Sequence, residues 1–350
     1  MSKFFHRAYD QTWGTVDWGK EENPLEAVKS LLAKGAKVND TGSENESILL
    51  NVVKAHKKGW EEAALFLIEN GANVNLADKN GDAPLINACR YKDGLNVVKA
   101  LVGKGAKINQ QLKGRSRGNR PPLASSFALK AAVFAGNDET VDFLIASGAN
   151  VRLKDDLGQE AISFVQGKSK SNLNILKSLI KAGADVNVEN YFADTPLMQA
   201  AGRDDLDSFI ILKEAGADIN KKTKGFSYDI NGNFEMVHIP DHSVLSVPVS
   251  WGYDRIIDYA MKNGAEVDDY AKKAFENLSQ RKDVPQEVKD KIAGFLKLDN
   301  KQVEPSKAIA EAREKLKGKN PTTLPPKTVT STKPKKPRSS GKNNPHDHDR

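Results

Sequence analysis

Apolar residues recur along the chain in short clusters with helical spacing, separated by polar turns. The clearest example spans residues 190–220, where the apolar positions predict two short helices: Leu197, Ala200 and Ala201, then Phe209, Ile210 and Leu212. Neither helix is long enough to bury its own apolar face. The pattern therefore predicts neighbouring copies that pack side by side.

The ends of these two helices are marked by residues with a physical reason to be there. Thr195 precedes Pro196, which predicts a helix start because the hydroxyl can cap it and proline suits the first helical position. Gly202 is predicted to end the first helix and Gly216 the second, since glycine adopts the left-handed conformation without a Cβ penalty.

The same turn recurs seven times as Gly-Ala followed two residues later by Val or Ile. The glycines are Gly35, Gly71, Gly105, Gly148, Gly183, Gly216 and Gly264. By subtraction, their intervals are 36, 34, 43, 35, 33 and 48 residues. A period near 33 with two helices per repeat predicts a solenoid, and the two long intervals predict insertions.

Two copies carry motifs that resemble the ankyrin-repeat family. They are Asp194–Ala201 (DTPLMQAA) with AGADIN at 215–220, and Asp82–Ala88 (DAPLINA) with KGAKIN at 104–109. The resemblance covers residues 1–268. It implies an all-α solenoid of about seven helix–turn–helix units with β-hairpin turns. Ile86 and Met198 stand where the family usually places a histidine, which puts that histidine's inter-repeat hydrogen bonds in doubt.

The two insertions have different character. Residues 110–126 are rich in arginine, lysine and glycine, without periodicity, and predict an irregular basic loop. Residues 221–242 contain alternating apolar positions around Asn231 and Gly232, which predict a two-stranded hairpin finger.

The chain end differs in composition from the repeats. Residues 269–317 predict helices that cap the array, while residues 318–350 are Pro/Lys-rich and predict a disordered tail. The net charge is +7, yet residues 301–350 carry 13 Lys/Arg and 5 Asp/Glu, so residues 1–300 are nearly neutral. The basic charge thus gives no reason for the folded body to bind nucleic acid.

Little in the sequence points to catalysis. Phosphate-binding glycine loops, nucleophile elbows and the HExxH motif are absent. His238 and His242 have metal-like spacing only on a helix, which Pro240 opposes, and Cys89 is expected to fill the core. We therefore expect a non-enzymatic protein without cofactor or metal. No segment is apolar over the ~20 residues that cross a bilayer, so we also expect an intracellular monomer.

Binding is the favoured function, because first helices and turn tips line one face of such arrays. The candidate partner-binding residues on that face and in the basic loop are Arg90, Tyr91, Arg115, Arg117, Phe134, Tyr191, Phe192 and Trp251. Aromatic and arginine side chains dominate interface energetics. The competing interpretation is that the insertions fold back and cover these rings.

The leading hypothesis is a scaffold or adaptor that binds a protein partner, in the cytoplasm or, as a bacterial effector, inside a host cell. The alternative is a nuclear or nucleic-acid-associated protein that acts through its tail, where residues 333–338 (KPKKPR) resemble an import signal. The third hypothesis is an enzyme or accessory subunit whose site the sequence does not reveal.

Overall fold

The computed structural model describes residues 16–42, 45–79, 81–112, 126–223, 226–229, 236–239 and 242–298. Its α-helices are α1 (Pro24–Ala33), α2 (Ile48–Ala55), α3 (Trp60–Glu69), α4 (Pro84–Ala88), α5 (Leu95–Gly103), α6 (Ala128–Ala135), α7 (Asp138–Ala146), α8 (Lys170–Lys181), α9 (Pro196–Gly202), α10 (Leu206–Glu214), α11 (Ser246–Trp251), α12 (Asp254–Lys262), α13 (Asp269–Gln280) and α14 (Gln286–Phe295). A 3-10 turn, Ala161–Phe164, takes the place of the first helix in the fifth unit.

The helices pack in two rows. One row contains the first helices, with α2 against α4, α4 against α6 and α6 against the 3-10 turn, then α9 against α11. The other contains the second helices, from α1 against α3 through to α10 against α12. One continuous core lies between the rows. The all-α repeat architecture predicted from the sequence is confirmed, and we call the outer surface of the first row, with its turns, the first-helix face.

All seven Gly-Ala pairs end a second-row helix in the same way. Each glycine has a positive φ, from +83° at Gly71 to +96° at Gly35. The amide of the alanine that follows donates back to a carbonyl five residues earlier, as from Ala217 N–H to Leu212 O at 3.0 Å. A helix end with this hydrogen bond places the preceding residue in the left-handed conformation. That conformation favours a residue without a Cβ, which explains the recurrent glycine.

The prediction that Gly202 ends its helix in the left-handed conformation is wrong. Gly202 is the last residue of α9, and the left-handed residue is Asp204, with a φ of +54°. A Cβ on Gly202 would lie 3.4 Å from Val247 Cγ1 of the next unit. Close packing of the first-row helices therefore accounts for glycine at this position.

Both insertions begin and end with paired strands. The ends of the first insertion form β1 (Gln111–Leu112) and β2 (Ser126–Phe127), which are antiparallel. The second contains β3 (Lys222–Thr223) paired with β6 (His242–Ser243), and β4 (Phe226–Asp229) paired with β5 (Met236–Ile239). Phe226 opposes Ile239 and Asp229 opposes Met236, so the predicted hairpin is confirmed. The strands of the first insertion were not predicted.

Asparagine side chains connect successive units. Asn220 Nδ2 donates to Gly264 O at 3.0 Å, and its Oδ1 accepts from Glu266 N–H at 2.8 Å. Equivalent pairs of bonds are made by Asn39, Asn75, Asn109 and Asn187. One amide group donates and accepts at once, so each asparagine satisfies two backbone groups of the next unit. These asparagines link the units although the repeats lack the family's histidine at Ile86 and Met198.

The fourth unit has arginine at this position. Arg152 Nε donates to Gly183 O at 2.8 Å, but a guanidinium cannot accept a hydrogen bond. The amide of Asp185 instead donates to Glu160 Oε2 at 3.5 Å. Burial raises the pKa of Glu160 above its usual value, and the hydrogen bond from Asp185 only partly opposes this.

Glu160→Gln should stabilise the protein at neutral pH and lose its advantage in acid. A raised pKa means that the folded state disfavours the carboxylate, so the penalty is fully present above the folded pKa and disappears below the unfolded one, near pH 4. Urea midpoints of both proteins between pH 4 and pH 8 test this. An advantage that grows on acidification would contradict it.

The C-terminal helices continue both rows. Helix α13 packs on α11 of the first row, and α14 packs on α12 of the second. The predicted cap is thus an eighth, atypical pair of helices. Pro248 is the third residue of the six-residue helix α11, where its missing N–H has no intrahelical acceptor to lose.

Several predictions concern residues outside the described ranges. These are the centre of the basic loop with Arg115 and Arg117, the end of the predicted cap at 299–317 and the tail at 318–350. Within the described part of the chain, no helix is both long and apolar enough to traverse a bilayer.

Candidate functional site

Three large apolar side chains in the described residues are strongly exposed, and all three belong to the first-helix face. Phe134 at the end of α6 is 71% exposed, Trp251 at the end of α11 is 60% exposed, and Phe192 at the tip before α9 is 41% exposed. Folding gains little from rings left in water, whereas interfaces use them as anchors. All three are residues that the sequence predicted for partner binding.

Phe134 and Phe192 line cavities on this face, and Trp251 follows Ser250, which lines one of them. The first, about 500 Å³, is lined by Arg90, Phe134 and Phe164 among others. The second, about 490 Å³, is lined by Phe164 and Phe192. The third, about 600 Å³, lies between Phe192, α11 and α13. Because Phe164 and Phe192 each line two cavities, the cavities follow one another along the first-helix face from the third unit to the C-terminal helices, and we call them together the groove.

Arg90 and Tyr91 have different environments although they are adjacent. Arg90 is exposed, and its Nη1 donates to Asn87 Oδ1 at 3.0 Å. Tyr91 is half-buried and stacks on His56, with ring centroids 3.6 Å apart and planes within 5°. The ring of Tyr91 therefore stabilises the contact between the second and third units, while its role in partner binding stays a prediction.

His56 also has a charged neighbour. Its Nε2 lies 2.9 Å from Asp93 Oδ1, and the indole N–H of Trp60 donates to the same carboxylate at 3.2 Å. Burial alone would raise the pKa of Asp93, but these two hydrogen bonds outweigh it and hold the pKa below its usual value. Trp60 is 4% exposed, so its indole belongs to the core.

The tip before α9 is a tight turn built on Asn190. Its Oδ1 accepts from the amides of Phe192 at 2.7 Å and Asp194 at 2.9 Å, and Ala193 has a φ of +60°. Tyr191 and Phe192 form an edge-to-face pair, with centroids 5.4 Å apart. The turn thus carries two adjacent rings on a hydrogen-bonded scaffold.

The equivalent tip before the fifth unit is built on Asp155. Its Oδ1 accepts from the amides of Leu157 and Gln159, both at 2.9 Å. Lys130 of the preceding unit contacts Asp155 Oδ2 at 2.6 Å, and its ammonium lies 4.2 Å from the centre of the Phe164 ring. A buried ion pair therefore joins the fourth and fifth units at the first-helix face.

Trp251 lies at the C-terminal end of this face. The Arg281 guanidinium carbon lies 5.6 Å from its ring centre, and Arg281 Nη1 donates to Ser250 O at 3.0 Å. A cation above an indole is favourable even at an exposed site. Arg281, in the segment between α13 and α14, therefore orients this ring.

The side chains that could take part in catalysis or metal binding are buried or contact other residues of the fold. Cys89 is fully buried as predicted, and burial raises the pKa of its thiol far above its usual value. His242 Nε2 lies 2.5 Å from Asp194 Oδ1. Across the described ranges, no group of three or more His, Cys, Asp or Glu has metal-binding geometry.

Sequence reasoning missed three contributors to the groove, namely Phe164, Arg203 and His242. Phe164 lies in a repeat without the family motif, and the 3-10 turn was not predicted. Arg203 follows the residue that was expected to end its helix. His242 is the first residue of β6, which returns from the second insertion, so only the strand pairing places it beside Asp194.

Two rows of short helices with a left-handed glycine at each second-row end define a helical repeat solenoid. A family model described as ankyrin repeats (3 copies) matches residues 19–111 and 129–223, together more than half of the chain. The chain belongs to the ankyrin-repeat family. The interval between the two matches coincides with the first insertion.

The proteins with similar sequences are longer, and the chain spans only part of their length. The ankyrin repeat and KH domain-containing protein mask-1 of Caenorhabditis elegans is 26% identical over 242 residues, which cover 69% of this chain and 8% of that protein. A putative ankyrin repeat protein of fowlpox virus is 26% identical over 212 residues, covering 55% of this chain and 58% of that protein.

Two solved ankyrin repeat domains are also similar. One from Acinetobacter baumannii has a TM-score of 0.47 and 24% identity, and the match covers 62% of this chain and all of that one. The human ASB11 domain has a TM-score of 0.45 and 25% identity, and the match covers 63% of this chain and 86% of that one.

Proposed function

We propose that this protein is a non-enzymatic interaction module that binds a protein partner through the groove of its first-helix face. Ankyrin repeats generally mediate protein–protein interaction, and the extended concave surface of a solenoid is its usual binding face. The observation that carries the proposal is the exposure of Phe134, Phe192 and Trp251 on the first-helix face, where Phe134 and Phe192 line the groove.

The chemistry of the groove suits a protein segment better than a small substrate. The first cavity has mainly apolar walls with Arg90 among them, whereas polar side chains such as Gln159 and Asn190 make up most of the lining of the second. Interfaces combine such anchors with a polar rim. The groove continues over several repeats, which favours an elongated ligand.

Changing Phe134 and Trp251 together to alanine should abolish most partner binding without unfolding the protein. Buried interface aromatics often contribute 2 kcal/mol or more, and each ~1.4 kcal/mol is tenfold in affinity. We expect the recovery of partners in affinity capture with the full chain to fall more than tenfold. The melting temperature should stay within about 2 °C, because both rings are exposed.

Phe66→Ala is the matched control. Phe66 is half-buried on α3 in the second row, 6.0 Å from the Lys29 ammonium and away from the groove. Its loss should leave capture unchanged. Equal capture by the wild type and the groove variant, or an equal loss with Phe66→Ala, would count against the proposal.

A further inference from the structure

The fourth and fifth units differ at the residue that faces the next turn. The third residue of α6 is Lys130, whose side chain reaches Asp155 of the following tip. The third residue of the 3-10 turn is Ser163, which is too short to make the equivalent contact with the tip at Asn190. The second cavity of the groove, about 490 Å³, lies here, between the fifth and sixth units.

This unit 5/6 cavity contains a polar atom that folding does not satisfy. Ser163 is 3% exposed, and its hydroxyl has no hydrogen-bond partner in the structure. A buried hydroxyl without a partner loses its hydration without compensation, so native proteins seldom keep one without a reason. A ligand with an acceptor oxygen could receive this hydrogen bond.

Arg203 adds a charge to the cavity wall. It is exposed, and its Nη1 donates to Val165 O at 3.2 Å. Among the described residues, no carboxylate lies within ion-pair distance of it, but the Asp205 and Asp194 carboxylates are near enough to oppose the lowering of its pKa by burial. Phe164 and Phe192 line the same cavity as Arg203.

The other charged pair of the cavity is already matched internally. Asp194 Oδ1 contacts His242 Nε2, and His242 Nδ1 lies 3.0 Å from Thr223 Oγ1. Asp194 therefore has its own hydrogen-bond partner, and Arg203 is the one arginine of the described lining, with the Asp194 and Asp205 carboxylates as more distant neighbours.

Resting on the proposed function, we propose that the unit 5/6 cavity binds an aspartate or glutamate side chain of the partner that stands next to an apolar residue. The carboxylate pairs with the Arg203 guanidinium and accepts from the Ser163 hydroxyl. The neighbouring apolar side chain packs between Phe164 and Phe192.

The charge balance favours a carboxylate over a phosphate or nucleic acid. A phosphorylated side chain carries about −1.5 to −2 charges and is usually held by several cations. The described lining provides one arginine, which matches a single negative charge in a bidentate pair. Nucleic acid would require a row of basic groups along the groove.

Selection from a random peptide display library on the full-length protein tests this inference. We expect enriched peptides to share an acidic residue beside an aromatic or aliphatic one. For such a peptide, replacing its Glu by Gln and replacing Arg203→Gln should each weaken binding at least tenfold by fluorescence anisotropy. The two changes together should weaken it little more than either alone, because they remove the same contact.

Two further variants test whether the effect on peptide binding is specific to the unit 5/6 cavity. Ser163→Ala should weaken peptide binding while leaving the free protein equally or more stable, since it removes an unsatisfied hydroxyl. Arg255→Gln is the control, because Arg255 is an exposed arginine on α12 outside the groove lining. It should leave peptide binding unchanged.

Several outcomes would overturn the inference without touching the proposed function. Enriched peptides without acidic residues, no enrichment at all, or indifference to Arg203→Gln would each do so. Tighter binding of a phosphoserine peptide than of its Glu counterpart would reassign the cavity to phosphate. The proposed function fails instead if capture is insensitive to Phe134 and Trp251, or if Phe66→Ala weakens it equally.

Discussion

Lys130→Met should destabilise the protein by about 3–5 kcal/mol, because it leaves the buried carboxylate of Asp155 without its counter-ion. The Lys130 and Asp155 side chains are 10% and 0% exposed, and their contact is 2.6 Å. Methionine keeps the length and apolar stem of lysine, so the loss of stability reports the removal of the charge. Urea denaturation followed by circular dichroism measures it.

Adding Asp155→Asn to this variant should restore more than half of the lost stability. The turn needs an oxygen that accepts two amides, and the tip at Asn190 shows that an asparagine can provide it. Lys54→Met is the comparison, since the Lys54 pair with Asp78 and Asp82 is more exposed and should contribute only about 1 kcal/mol. Equal losses at Lys130 and Lys54 would show that burial of the pair is unimportant.

Phe209→Ala should also cost about 3–5 kcal/mol, because it removes a fully buried ring from the core. Phe209 in α10 forms an edge-to-face contact with Tyr259 of α12, at a centroid distance of 6.0 Å. The change thus weakens both the sixth unit and its contact with the seventh.

The loss should be local, because each unit of a solenoid contacts only its neighbours. Amide hydrogen exchange should therefore accelerate in α10 and α12 more than in α2 and α4. Phe134→Ala, at an exposed ring, should change the unfolding free energy by no more than about 0.5 kcal/mol. Equal acceleration of amide exchange in all units would contradict a local loss of stability.

The sequence predicted the features that depend on backbone geometry. A helix end with positive φ requires glycine, so seven Gly-Ala pairs located seven helix ends and thereby the period of the array. The same register placed Phe134, Phe192 and Trp251 on one face, and their exposure agrees with that placement.

Features that depend on contacts between distant residues could not be predicted in this way. The asparagine links join residues about 30 positions apart, and a single asparagine in a turn gives no sign of them. Tyr91 was selected for its place at a helix end, but its stacking on His56 follows from a residue 35 positions earlier. The unit 5/6 cavity is lined by residues as far apart as Gln159 and Val247, which the sequence alone does not bring together.

The replacement of asparagine by Arg152 gives the array one joint of a different kind. The equivalent links at the other turns rest on neutral amide groups, whose strength is nearly independent of ionic conditions. The link between the fourth and fifth units at this position uses a guanidinium and a carboxylate, Arg152 and Glu160, in separate hydrogen bonds. This link therefore responds to salt and to the protonation of Glu160, which the asparagine links do not.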